Sequence, residues 1–429
     1  MTARSNQRRA ITPCGPLDAT TRPPGSKSIT NRALVCAALA DGESTLLGAL
    51  DSEDTRVMAD CLRRLGVELA TDLANQTMTV QGCGGKLSAE AADLFVANSG
   101  TTIRFLTAVC TLGRGRYRLD GVDRMHKRPI GDLLDALTQL GARATSENDD
   151  GCPPVIVEGH ALPGGSAKIR GDISSQFLSG LLMAAPYAQQ GVEIVVEGVL
   201  VSQPYVRMTL AVMEAFGVSA SADDLSQLTV APQSYRGRRY EIEPDASAAS
   251  YFWGAAAIAG GRVTVEGLSR DALQGDVAFC DCLAEMGCDV EYQADSITVR
   301  NAGRLRGVDV DMNPISDTVQ TLAAVALFAE GPTTIRGVAH IRHKETDRIG
   351  DLARELRKLG ATVDEFEDGL QITPAALSGA EVDTYNDHRM AMSLALVGLK
   401  TPGVVINDPQ CTEKTYPRFF DDLAAVCVG

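Results

Sequence analysis

Six short stretches of this chain gather cations, hydroxyls, amides and carboxylates in a pattern suited to holding anions. They read PGSKSITNR, with Lys27, Ser28 and Arg32; ANSGTTIR, with Asn98, Gly100 and Arg104; GDISSQ, with Ser174, Ser175 and Gln176; PDASAAS; PISDTVQ, with Asp317; and YNDHRMA, with Arg389. Each runs into an apolar stretch, so each reads as the start of a helix. Helix N-termini carry unpaired N–H groups and a partial positive charge, which attract anions. Ser, Thr, Asp and Asn also cap helices, and for any one tip capping is the plainer reading. On spacing alone Asp317 is an N-cap and Glu345 a first-turn acid. Six such tips that also carry Lys27, Arg32, Arg104 and Arg389 are better explained by an anion site. Two further clusters, HIRHKETDR with Arg342, Lys344 and Arg348, and VDRMHKRP with Arg124, Lys127 and Arg128, put more cations at loop-to-helix junctions.

The elements behind these tips recur. Gly42, Gly115, Gly191, Gly261, Gly331 and Gly403 follow Ala/Leu-rich runs at spacings of 73, 76, 70, 70 and 72 residues. Gly66, Gly141, Gly217, Gly287 and Gly360 close L-x-x-L-G-like endings at spacings of 75, 76, 70 and 73. A period this long marks a repeated supersecondary unit. In the first copy GSKSITNRALVCAALADG reads as a helix, STLLGAL as a strand, DSEDTRVMADCLRRLG as a second helix stopped by Gly66, and VELATDLANQTMTV as a hairpin. The closing hairpin is least clear in the third copy. Six copies divide as three plus three, with a break near Tyr240 to Asp245.

The chain has 429 residues and a formal net charge of −15. That balance opposes non-specific nucleic-acid binding, which needs a basic surface, and makes local basic clusters more telling. The longest apolar run, Thr321 to Ala329, is far short of the ~20 residues that span a membrane. The leader MTARSNQRRAITPCG is basic but has no apolar core, so it does not read as a secretory signal. Eleven cysteines, an odd number, are scattered through apolar stretches such as those of Cys36, Cys110 and Cys427. They read as buried free thiols in a reducing compartment, the cytoplasm. Cys280 and Cys282 lack a partner pair for zinc, and the cations beside His340 and His343 oppose a metal there. No metal site is expected.

Seven motifs in order resemble the enolpyruvyl transferases: PPGSKSITNRAL, NSGTTIR, KRPIGDL, GDISSQFLSGLL, KETDRI, YNDHRMAM and DPQCTEKTYPRFF. The resemblance spans nearly the whole chain. It implies an α/β fold of two lobes, each of three β-α-β-α-β-β units arranged as an inside-out α/β barrel. By it, residues 1–24 form an N-terminal strand segment that joins the second lobe, 25–242 form the first lobe and 243–429 the second. It implies transfer of the enolpyruvyl group of phosphoenolpyruvate to the 5-hydroxyl of shikimate 3-phosphate, with no metal or organic cofactor. The partners are small anionic substrates, not nucleic acid or membrane, and the protein acts as a monomer.

The same resemblance assigns roles by motif. Lys27 touches both substrates. Ser28, Arg32, Ser174, Ser175, Gln176, Ser202, Asp317, His340 and Lys344 hold shikimate 3-phosphate, with Tyr205 a weaker candidate beside Ser202. Asn98, Gly100, Arg128, Gln176, Arg348, Arg389 and Lys414 hold phosphoenolpyruvate. Asp317 accepts the hydroxyl proton, and Glu345 shuttles a proton at C3, a task Lys27 can share. Two positions depart from the family pattern: His340 stands where relatives often have Asn, and Phe105 where many have Pro. Gly100 is the residue type that leaves room for glyphosate, a phosphoenolpyruvate-site inhibitor of the family, so retained but weakened sensitivity is expected. Transfer to UDP-N-acetylglucosamine is the nearest alternative, but that branch commonly has a loop Cys where this chain has Asp123. RNA 3′-phosphate cyclisation shares the repeat unit but conflicts with the acidic charge. A catalytically dead anion binder conflicts with Lys27, Asp317, Glu345 and Lys414 occurring together.

Overall fold

Composition decides which helices go inside. Lys27–Leu39, Gly100–Cys110, Ser175–Ala184, Ala246–Ala259, Val319–Ala326 and His388–Gly398 are apolar nearly all round after their first turn. A helix without a polar face must be covered on every side, and these six are buried along almost their whole length in the computed structural model. Glu53–Arg64 and Gly350–Lys358 are different. Each buries one stripe, Met58 and Leu62 in the first, Leu352 and Leu356 in the second, and turns charges outward.

The structure describes residues 7–222 and 224–428. The first six residues of the expected 1–24 segment, Asp223 and Gly429 lie outside the described residues. The chain forms two compact units. One holds the described residues up to Pro24 together with those from Glu243 onward; the other is Gly25–Ile242. Each has its own apolar core. In the Gly25–Ile242 unit the helix Gly100–Cys110 packs on both Lys27–Leu39 and Ser175–Ala184. Gly180 permits the second of these approaches, because an added Cβ would lie 2.8 Å from the Arg104 carbonyl oxygen. In the other unit Ala246–Ala259, Val319–Ala326 and His388–Gly398 all pack on one another. Trp253 is fully buried there, and its indole N–H donates to the Ile297 carbonyl at 3.2 Å.

The sheets are mixed. Glu43–Leu47 runs parallel to Arg239–Glu241 and antiparallel to Thr77–Gln81, which pairs in turn with Glu68–Asp72. The same order of one parallel and two antiparallel pairings joins Ala91–Phe95, Arg116–Asp120, Val155–Glu158 and Arg143–Ser146. In the other unit it joins Leu17–Thr21, Gly261–Glu266, Ser296–Asn301 and Asp289–Tyr292, and again Asp309–Asp311, Thr333–Arg336, Gly369–Thr373 and Thr362–Phe366. Two further sheets have three strands. One of them ends in Gln227–Val230, whose hairpin partner is reduced to a single bridge between Ser221 and Thr229, within a Ser/Asp-rich stretch of low strand propensity. The other takes in Arg8–Ala10, antiparallel to Val405–Asn407.

None of these sheets closes on itself among the described residues, so the fold is α/β with open mixed sheets and no closed barrel. Sheets of at most four short strands are too small to curl shut. All eleven cysteines are free thiols; Cys427, expected to be buried, is only half-buried on the last helix, Phe419–Val428. Among the described residues no helix is long and apolar enough to cross a membrane, and no cluster of metal-ligating side chains occurs.

Candidate active site

Five of the six tips cap their helices. Ser26, Ser99, Ser174, Asp245 and Asp387 accept from the backbone N–H groups of Ile29, Thr102, Gln176, Ala248 and Arg389 at 2.8–3.4 Å. The PISDTVQ tip does not. A 3₁₀ turn over Asn313–Thr318 precedes the helix Val319–Ala326, and the N-cap position falls to Thr318. Asp317 instead accepts from Arg389 Nη2 at 2.7 Å and Arg348 Nη1 at 3.2 Å, with Lys344 Nζ at 3.9 Å. The plain capping account of Asp317 therefore fails on geometry.

Glu345 likewise is not a first-turn acid, since it lies between the 3₁₀ turn Ala339–His343 and the helix that begins at Gly350. It accepts from Arg348 Nη2 at 2.9 Å and Lys414 Nζ at 2.7 Å. Arg348 is thus shared by three carboxylates, because its Nε also donates to Asp387 at 2.7 Å. Arg348 is 1% exposed and Asp387 0%, a depth at which charges persist only when paired. Burial pulls the Arg348 pKa down, but Asp387, Glu345 and Asp317 more than offset it, and the guanidinium is held above its ordinary range. The cluster of Lys344, Arg348, Arg389 and Lys414 faces Asp317, Glu345 and Asp387, leaving cations in excess.

His340 sits beside this cluster, nearly buried, with Nε2 3.0 Å from the Ser316 hydroxyl. Burial, aided by the Lys344 charge, pushes its pKa down to about 3, so the ring is neutral near pH 7. It is a hydrogen-bonding group there and not a cation.

The Gly25–Ile242 unit brings its candidates together through two buried arginines. Arg104 donates to the Gln176 side-chain oxygen at 2.9 Å, to the Gly100 carbonyl at 3.3 Å and to the Pro129 carbonyl at 3.1 Å, and lies over the Phe177 ring. Gln176 also donates to Thr101 Oγ1 at 3.2 Å. Arg32 bonds Thr209 Oγ1 at 2.7 Å, the Tyr205 carbonyl at 3.2 Å and the Ser28 carbonyl at 2.9 Å. Burial pushes the Arg32 pKa down to about 10, which still leaves it charged at neutral pH. Phe105, the departure from Pro, packs beneath the Arg32 guanidinium with 5.3 Å to the ring centroid.

Arg128 Nη1 donates to the Asn98 carbonyl at 3.0 Å and to its side-chain oxygen at 3.4 Å. At Gly100 a Cβ would lie 2.3 Å from Arg128 Nη2 and 2.6 Å from Arg104 Nη1, so a larger residue there would displace these guanidinium groups. Lys27 Nζ stands 3.6 Å from the buried carboxylate of Asp54. Ser174 caps its helix, and Ser175 begins it. Ser202 precedes the helix Gln203–Ala215 with φ of 53°, an unusual conformation for a non-glycine residue.

The sequence reading missed Asp54, Thr209 and Ser316. It named Arg104 only as a tip cation and gave Asp387 no role. A buried carboxylate one strand away from Lys27 has no local signature, so only the folded chain reveals that pair.

The fold and these two clusters define an α/β protein whose buried cations, set beside carboxylates, suit multiply charged anions. Residues 11–423 match the family described as EPSP synthase (3-phosphoshikimate 1-carboxyvinyltransferase). The chain is 50% identical over 406 residues to a 3-phosphoshikimate 1-carboxyvinyltransferase of Trichormus variabilis, covering 94% of this chain and 95% of that one. It is 48% identical over 418 residues to one of Shewanella denitrificans, covering 96% and 97%. Its structure resembles that of EPSP synthase from Acinetobacter baumannii with a TM-score of 0.82 at 26% identity, over 98% of both chains. The chain belongs to the EPSP synthase family.

Proposed function

We propose that this protein transfers the enolpyruvyl group of phosphoenolpyruvate to the 5-hydroxyl of shikimate 3-phosphate, releasing phosphate. The product is 5-enolpyruvylshikimate 3-phosphate, on the route to chorismate and the aromatic amino acids. Family membership supports the reaction. The observation that best fits its chemistry is the Asp317–Arg348–Glu345 array, in which two carboxylates share one buried guanidinium. Transfer must remove a proton from the hydroxyl and add one to C3 of phosphoenolpyruvate, then take one back as phosphate leaves. Asp317 takes the first proton. Glu345 delivers and recovers the second, a task Lys27 can share. Arg348 bonds both carboxylates and holds them in place; Glu345 carries the proton it gives to C3 before it takes one back.

Lys27, Ser28, Arg32, Ser174, Ser175, Gln176, Ser202, His340 and Lys344 hold the shikimate ligand in this reading. Lys27 again, with Asn98, Gly100, Arg128, Gln176, Arg348, Arg389 and Lys414, holds phosphoenolpyruvate, where arginine forks suit carboxylate and phosphate. The four four-stranded and two three-stranded sheets, each combining parallel and antiparallel pairing, are read as six copies of one unit, three to each half. The protein acts as a monomer on free metabolites, without nucleic acid, and eleven free thiols suit the reducing cytoplasm.

Phosphate release by purified protein tests the reaction. Release is expected with phosphoenolpyruvate and shikimate 3-phosphate together and not with either alone. Release with UDP-N-acetylglucosamine in place of shikimate 3-phosphate would instead support the other branch.

A further inference from the structure

We propose that Glu355 and Tyr385 are positioning residues that set the register between the two segments carrying Arg348 and Arg389. This rests on the reading that those arginines hold phosphoenolpyruvate. Glu355 lies in the helix Gly350–Lys358, which begins just after Arg348. It is 0% exposed, and its partners are Tyr385, Asp383 and Lys358, not the arginines and lysines around Asp317. Its Oε1 accepts from the Tyr385 hydroxyl at 2.5 Å, and its Oε2 accepts from the Asp383 backbone N–H at 3.0 Å and from Lys358 Nζ at 2.9 Å. A single buried carboxylate thus grips the segment leading to YNDHR at two points.

That segment needs gripping. Tyr385 and Asn386 have φ of 53° and 57°, two successive non-glycine residues in the left-handed region. Such a backbone persists only where its surroundings fix it. Arg354, on the same helix as Glu355, adds a hydrogen bond to the Tyr385 hydroxyl at 3.1 Å and lies over its ring. Immediately beyond the turn, Asp387 donates its backbone N–H to the Thr384 carbonyl at 2.8 Å, pairs with Arg348 and caps the helix at the Arg389 N–H. The left-handed turn therefore aims Asp387, whose carboxylate pairs with the Arg348 guanidinium and caps the first turn of the helix that carries Arg389. Without Glu355 the turn relaxes, and the arginine pair loses its fixed spacing.

The test is steady-state kinetics of Tyr385→Phe, Glu355→Gln and Glu355→Ala, with Arg389→Lys as reference. A lost hydrogen bond of ordinary worth corresponds to roughly a tenfold change. The KM for phosphoenolpyruvate is expected to rise at least about threefold in Tyr385→Phe and about tenfold or more in Glu355→Ala, with kcat and the KM for shikimate 3-phosphate within about twofold. Glu355→Gln, which keeps an acceptor oxygen, should recover part of the loss. Tyr385→Phe removes only a hydroxyl, so it remains informative if Glu355→Ala does not fold. An unchanged KM for phosphoenolpyruvate in these variants, with a raised one in Arg389→Lys, overturns the positioning role and leaves the arginine assignment standing. Equal rises in both KM values would indicate general loosening and also overturn it. If Arg389→Lys itself leaves that KM unmoved, the arginine assignment fails, and this inference fails with it.

Discussion

Asp317→Asn is expected to lower kcat by about 10²–10⁴-fold while leaving a folded protein, the range typical for loss of a positioned general base. The substitution is nearly isosteric, so packing around the 3₁₀ turn Asn313–Thr318 should survive. Arg348 keeps Asp387 and Glu345 as partners. What disappears is an oxygen able to take a proton. A merely structural ion pair predicts something else: losing one hydrogen bond to a charged group costs about 1.5–3 kcal/mol, felt as stability and not as kcat. Phosphate release at saturating substrates, together with a melting curve, separates the two. A variant with near-normal kcat and a lowered melting temperature would return Asp317 to the rank of a structural residue.

Arg348→Met is expected to damage stability as well as activity. Asp317, Glu345 and Asp387 all turn toward this guanidinium, and removing one partner of a buried ion pair costs about 3–5 kcal/mol. For a unit of this size that corresponds to a melting shift of roughly 10 °C, confined to the transition of the unit containing Arg348. Arg348→Lys should recover little, because a point charge cannot reproduce a planar fork shared by three carboxylates. Calorimetry checks this, since two compact units need not melt as one. An unshifted melting curve would mean that the three carboxylates are satisfied without Arg348.

Much of this architecture is legible in the chain because glycines punctuate it. Gly66, Gly141, Gly217, Gly287 and Gly360 all adopt φ of 84–107°, the left-handed stop that ends a helix. Their spacing therefore reports real helix ends. The apolar helices are legible for the same physical reason that buries them. The sheets are less so: pairing partners such as Leu17–Thr21 with Gly261–Glu266 lie far apart in sequence, and the third hairpin shrinks to a bridge.

The site divides in the same way. Cations at the tips are visible by type, and five tips cap their helices as residue type predicts. The special position of Asp317 is hidden, because it depends on a turn that hands the N-cap to Thr318. Asp54 beside Lys27, and Glu355 beneath Tyr385, are equally silent. Long-range pairing of a buried carboxylate leaves no periodicity to read.

The most direct measurement is turnover in deuterium oxide, with mass analysis of the vinyl group formed. If Glu345 delivers a proton to C3 and later removes one of three equivalent hydrogens, the wild-type product carries deuterium at that carbon. Glu345→Gln should then form product at least about 10²-fold more slowly. Wild-type product free of deuterium, or a Glu345→Gln variant that turns over at the normal rate, would contradict the account.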